Sequence, residues 1–193
     1  AMQTYTKVDI TGLCHSVQVC SKRLLNALEI DYKEPLKENI AGINHMAWLL
    51  ELYDATGKDL YPEIKKRALA ELEKEHSDSK DLVRYEYIRR LGYYCTESSE
   101  HNAEYGNLFI KSKYPELIER FNIPLDEYPR RCVKQIENWE KRKNEILAGN
   151  GVMHEKRTGE YASYIMESIL CNKPYTIGGN VINNGLITNL PAN

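Results

Sequence analysis

The stretch NIAGINHMAWLLELY, residues 39–53, decides how the rest of the chain is read. It is apolar enough for interior strands, while periodicity alone also allows a buried helix. Upstream, KVDITGL (7–13) alternates β-branched residues and ends near a glycine, the pattern of a buried strand. From Ser16 to Leu28, the residues Val17, Cys20, Leu24, Leu25 and Leu28 share one helical face. Cys14 and His15 therefore stand at a strand-to-helix junction, a place where backbone and side chains turn outward together.

Downstream, ATGKD reads as a turn, and a helix is expected from Tyr61, with Pro62 in its first turn and Ile64, Ala68, Leu69 and Leu72 on its apolar face. After the polar EHSDSKD, Asp78 or Ser79 can cap a helix over roughly 80–94 that carries Leu82, Val83, Tyr87, Ile88 and Leu91. Tyr128, Cys132, Ile136, Trp139, Lys143 and Ile146 recur at three- and four-residue steps, which predicts a long helix from Asp126 to Leu147, closed by AGNG. EYASYIMESILCN (160–172) reads as another helix. YTIGGNVINNGLITNLP (175–191) reads as a strand, an Asn/Gly turn and a second strand. The expectation is one α+β domain spanning residues 1–193, with no repeat or linker.

The 193 residues are 42% hydrophobic and 28% charged, with a formal net charge of -2. So balanced a charge gives no long-range field to draw a polyanion or a membrane surface, which argues against nucleic acid and membrane as partners. Five cysteines, an odd number without small-scaffold spacing, point to a reducing, cytoplasmic setting.

Cys14, His15 and His45 are the first candidates for chemistry. Taken singly, a buried cysteine or a lone histidine is most often a core or structural group. No CxxC or HxxxH pair accompanies them, which excludes a structural four-ligand zinc site. Two protein ligands would instead leave positions open for water and substrate oxygens, as a catalytic divalent ion needs. GYYCTESSEHNAEY (92–105) gathers Tyr93, Tyr94, Tyr105, Glu97, Glu100, Glu104 and His101. A helix cap with a polar loop explains such a segment; so many proton-transfer groups also suit an active-site loop. TIGGNVINNG lacks the dinucleotide spacing, and neither a P-loop nor a GxSxG elbow is present.

Five stretches in order, GLCHSVQ, AGINHMAWLLEL, RRLGYYCTESSEHNAEY, YIMESI and GGNVINNGLITNLP, resemble glycoside hydrolase family 4, in particular its α-galactosidase (melibiase-like) branch. The resemblance implies helices packed on a mostly antiparallel sheet, as in the C-terminal domain of lactate dehydrogenase-like proteins and family 4 glycosidases. It also implies NAD and a divalent metal, usually manganese, in place of the paired carboxylates of ordinary glycosidases. Hydride would leave sugar C3 for the nicotinamide, a base would take the acidified C2 proton, the glycosidic oxygen would leave C1, and water and hydride would then add.

On that resemblance Cys14 and His45 are the expected metal ligands, Tyr93 the C2 base with Tyr94 the alternative, and His15 the acid that assists the leaving oxygen. Asn44, Glu100 and His101 are expected to hold hydroxyls of a galactoside substrate. The family's glycine fingerprint and Rossmann pattern are missing from this sequence. The chain is therefore expected to be an internal piece of the C-terminal domain, without cofactor-binding residues of its own and inactive alone. A rival reading is a non-catalytic oligomerisation domain that forms homo-oligomers through the helices at 126–147 and 160–172.

Overall fold

The apolar stretch forms two antiparallel strands, β1 (Lys37–Ile43) and β2 (Met46–Tyr53), in a computed structural model that describes residues 5–43, 45–151 and 160–190. A third strand, β3 (Tyr94–Cys95), pairs antiparallel to β2 and completes a three-stranded sheet of order β1-β2-β3. Seven helices are present among the described residues: α1 (His15–Ala27), α2 (Tyr61–Leu72), α3 (Leu82–Leu91), α4 (Ser99–Tyr105), α5 (Glu116–Arg120), α6 (Glu127–Leu147) and α7 (Ala162–Cys171). The fold is thus the α+β arrangement expected, with helices accompanying an antiparallel sheet.

Strict alternation along β2 would bury Ala47, Leu49 and then Glu51. The register slips between Asn39 and Ile40, so Asn39 faces Glu51 and Ile40 faces Leu49. Leu50 is passed over, the phase of the strand shifts by one, and Leu52 is buried while Glu51 is exposed. At the other end of the hairpin Ile43 pairs with Met46, and Gly42 has φ +143°. A Cβ there would come within 2.6 Å of the Ala47 Cα and the Met46 carbonyl oxygen, so the tight approach needs glycine.

Two compact units divide the chain. One holds residues 1–77, 84–98 and 159–193; the other holds 78–83 and 99–158. In the first, α1 contributes Cys20, Leu24 and Leu25 to the core, with Leu28 just beyond it, which is the apolar face read from the sequence. Leu49 and Leu52 of β2, Ile64 and Ala68 of α2, and Tyr85 and Ile88 of α3 are buried beside them in the same unit. Arg67 of α2 donates to the carbonyls of Leu28 (2.9 Å) and Glu29 (2.8 Å), tying α2 to the end of α1. In the second unit Phe109 and Phe121 meet edge to face at 5.0 Å, and Ile123 and Ala103 are buried. None of the residues of α6 is buried.

α3 stops at Gly92, whose φ of +85° and N–H bond to the Ile88 carbonyl (2.9 Å) end the helix and release Tyr93 and Tyr94 toward β3. Tyr61, at the start of α2, then pins that strand. Its hydroxyl donates to the Leu49 carbonyl and accepts the Tyr94 N–H at 3.2 Å, so a helix side chain bridges the Leu49–Tyr94 pair of β2 and β3.

Two expectations differ from the structure. Residues 7–13 and the described part of 175–191 form no strands. The Asn180 N–H reaches the Gly12 carbonyl at 2.9 Å, so the two segments run together at that point without a ladder. In the tail, the Asn183 side chain donates to the carbonyls of Ile187 (3.0 Å) and Leu190 (3.2 Å) and accepts the Ile187 N–H (2.7 Å). Those side-chain bonds take the backbone groups a strand would use. The expected turn is present, with positive φ at Asn184 and Gly185.

Burial pushes the Tyr61 phenol up to about 12 from its ordinary 10.0. A phenol held above its unfolded value stabilises the fold below about pH 10, and that contribution fades as pH rises toward about 12. Tyr61→Phe should cost about 1–3 kcal/mol by urea unfolding at neutral pH, because a buried carbonyl and a buried N–H lose their shared partner. The variant should also lose less stability than wild type between pH ~10 and ~12; Cys20 and Tyr161, likewise pushed up by burial to about 12, and Tyr87, raised by burial too, contribute to the alkaline sensitivity that remains.

Candidate active site

His45 sits in the two-residue connection between β1 and β2, with φ +61°. A non-glycine residue in the left-handed region is held there by its surroundings. Its Nδ1 is hydrogen-bonded to Oε2 of Glu97, two residues beyond β3. Glu97 is buried at 4% exposure, and its Oε1 accepts the Ser98 N–H at 2.8 Å. The Thr96 N–H bonds to the Ala47 carbonyl at 2.9 Å, so the backbone carrying Glu97 is indexed to the hairpin that carries His45. Asn44 lies outside the described residues.

Cys14 is the residue before α1, in extended conformation (φ -97°, ψ 124°), and its carbonyl accepts the N–H groups of Val17 (3.1 Å) and Gln18 (3.2 Å). It is half-buried, and like the other four cysteines it carries a free thiol. The junction read from the sequence is therefore an extended-to-helix junction. Among the described residues no group of three or more His, Cys, Asp and Glu side chains could hold a metal ion.

His15, at the first position of α1, lies between two charged partners. Glu160 Oε1 is 2.8 Å from its Nδ1, and Arg23 Nη2 is 3.2 Å from its Nε2. Arginine only donates, so Nε2 accepts and the ring proton resides on Nδ1, facing the carboxylate. A proton on Nε2, as a role in acid catalysis there requires, has to displace the Arg23 contact.

Tyr93 keeps 43% of its surface exposed. Its ring meets Tyr61 edge to face at 6.2 Å, and the Lys65 ammonium lies 5.8 Å from its centroid. Tyr94 is wholly buried, with the Arg84 guanidinium 4.4 Å from its ring centroid, so of the two neighbouring phenols Tyr93 is the accessible one. Glu100 and His101 belong to α4 in the other compact unit. There Glu100 accepts from Arg131 at 3.3 Å, and His101 stacks on Tyr105 at 5.5 Å.

The structure thus joins His45 to Glu97, His15 to Glu160 and Arg23, and Tyr93 to Lys65 and Tyr61. Neither Glu97 nor Glu160 stood out in the sequence as a partner of a histidine. Glu97 was one carboxylate among several in a polar loop, and Glu160 is 145 residues from His15.

Residues 40–193 match the family 4 glycosyl hydrolase C-terminal domain, and the chain belongs to that family. It is 57% identical over 192 residues to the α-galactosidase of Bacillus subtilis (strain 168), covering 100% of this chain and 43% of that protein. It is 32% identical over 207 aligned positions to the α-galactosidase of Rhizobium meliloti (strain 1021), covering 97% of this chain and 39% of that one. A 6-phospho-α-glucosidase from gut microorganisms, solved in complex with NAD and Mn2+, shares the fold with a TM-score of 0.55 at 20% identity, over 95% of this chain and 43% of its own. The chain therefore spans about two fifths of the length of these relatives.

Both partners in the His15–Glu160 pair are about half exposed, at 53% and 48% of their side chains. Solvent screening leaves such a pair worth less than about 1 kcal/mol. Glu160→Ala should lower the unfolding free energy measured in urea by no more than that, while long-range 1H–15N spectra of the double variant Glu160→Ala/Arg23→Ala should show the His15 ring proton no longer confined to Nδ1.

Proposed function

We propose that this chain is the metal-binding and proton-transferring part of an α-galactosidase that works with NAD and a divalent ion such as manganese. The observation that carries this reading is the 57% identity to an α-galactosidase along the whole chain. The donor set fits such an ion: a thiol and an imidazole are too few for a closed structural site and leave room for water and sugar hydroxyls. Cys14 and His45 are the residues that would hold it. When bound, the ion would polarise the C2 and C3 oxygens of the sugar, and the nicotinamide would take up and return the C3 hydride.

The chain's own work is then proton transfer and positioning. Tyr93, exposed and beside Lys65, takes the acidified C2 proton as its phenolate and becomes the phenol. His15 protonates the departing glycosidic oxygen through Nε2, with Glu160 steadying the ring through Nδ1. Asn44, next in the chain to His45, holds a galactoside hydroxyl. The dinucleotide has no glycine fingerprint in this sequence, so its site belongs to the remaining length of the enzyme. Five free thiols fit a reducing, cytoplasmic setting, and among the described residues no helix is long and apolar enough to cross a membrane.

The test joins this chain to the amino-terminal part of the Bacillus subtilis α-galactosidase and assays p-nitrophenyl α-galactoside. Hydrolysis should require both NAD and Mn2+, and Tyr93→Phe should lower kcat by about 10²–10⁴. Turnover that ignores NAD, or a Tyr93→Phe enzyme as fast as wild type, contradicts the reading.

A second reading, self-association, rests on α6. Tyr128, Ile136, Trp139 and Ile146 lie at helical spacing, each more than half exposed. So large an apolar stripe seeks a partner, and a second copy of the chain presents the same stripe. Sedimentation should find a dimer, and Trp139→Glu should return it to monomer; a wild-type monomer at high concentration removes this reading.

A further inference from the structure

We infer that Glu97 is a positioning residue for the metal, holding the His45 imidazole in the Nδ1–H tautomer so that Nε2 keeps its lone pair for coordination. The inference rests on the reading of His45 as a metal ligand and deepens it. Oε1 of Glu97 accepts a backbone N–H from Ser98 at 2.8 Å, and Oε2 faces His45 Nδ1. Both oxygens are thus engaged, and an ionised carboxylate can only accept, so in that state the proton in the second bond is the ring's. The other nitrogen, Nε2, is then the lone-pair donor.

Burial makes this arrangement consequential. The Glu97 side chain is 5% exposed and that of His45 53%, so the pair runs from the protein interior to its surface with the carboxylate at the inner end. An interior carboxylate is costly unless a donor meets it, so the ring is drawn to one orientation. Negative charge behind Nδ1 also raises the donor strength of Nε2 toward a cation. Both residues are fixed by backbone: His45 by a two-residue connection at φ +61°, Glu97 by the Thr96–Ala47 bond at 2.9 Å.

Glu97→Gln preserves size but leaves one acceptor oxygen for two donors, Ser98 N–H and His45 Nδ1–H. The chain is labelled with 15N-histidine, and its metal-free tautomers are read from long-range 1H–15N spectra under alkaline conditions, where the rings are neutral. His45 should be Nδ1–H in wild type and shift toward Nε2–H in Glu97→Gln. Mn2+ titration should then give a Kd about 10–100 times higher for Glu97→Gln, and no uptake for His45→Ala. An Nε2–H tautomer in wild type overturns the inference even where Glu97→Gln does not fold. So does Glu97→Gln binding Mn2+ within about twofold of wild type while His45→Ala loses it, with the ligand role of His45 left standing. If His45→Ala binds as well as wild type, or wild type takes up no Mn2+, the ligand reading itself fails and this inference falls with it.

Discussion

The Tyr61 hydroxyl is the contact on which the arrangement depends. β3 is a strand of two residues, too short to hold its place by ladder bonds alone. One of its backbone N–H groups, that of Tyr94, is met by a side chain from α2, and the same hydroxyl meets the carbonyl of Leu49 across the pair. A single O–H thereby satisfies two buried backbone groups and couples a helix to two strands. It fixes where Tyr93 emerges, because Tyr93 precedes the pinned residue and its ring lies against that of Tyr61. It also fixes the chain leading to Glu97.

The hairpin imposes the second constraint. A register slip of one residue places both Leu49 and Leu52 in the core, which a strictly alternating strand of this sequence would not achieve. Close approach at Gly42 then brings the strands together at a connection where His45 adopts φ +61°. Backbone strain of this kind is tolerated where the surroundings determine it, and here the determinants are a glycine, a two-residue turn and a buried carboxylate. Packing of the sheet and presentation of the histidine are consequences of the same local geometry.

Much of this was legible in the sequence where one period dominated. The helix expected at 126–147 is observed as Glu127–Leu147, and the face of α1 carrying Cys20, Leu24 and Leu25 is the buried one. The interior position of 39–53 was legible from apolar content, which allowed strands or a buried helix, but the turn at residue 45 and the slip at Leu50 were not, since both arise from pairing. The second strand expected in the tail failed for a local reason. Asn183 offers the tail's backbone its own hydrogen bonds, and β-branched content cannot outweigh a nearby side-chain acceptor and donor. Among the candidate site residues the types were legible and the partners were not, because Glu160 and Glu97 reach their histidines across 145 and 52 residues of chain.

The two histidine–carboxylate pairs look alike in a contact map and differ physically. His15 and Glu160 are both half exposed, water competes for each, and Arg23 shares the ring. Such a pair can exchange partners at little cost, which suits a group that must pass a proton and be reset. Glu97 is buried, has both oxygens engaged and faces a ring on a strained turn. Losing that bond would strand a carboxylate in the interior, so the ring is held in place. In the roles proposed for them, a mobile proton carrier and a fixed ligand would call for opposite environments, and burial at Glu97 against exposure at Glu160 is a difference of that kind.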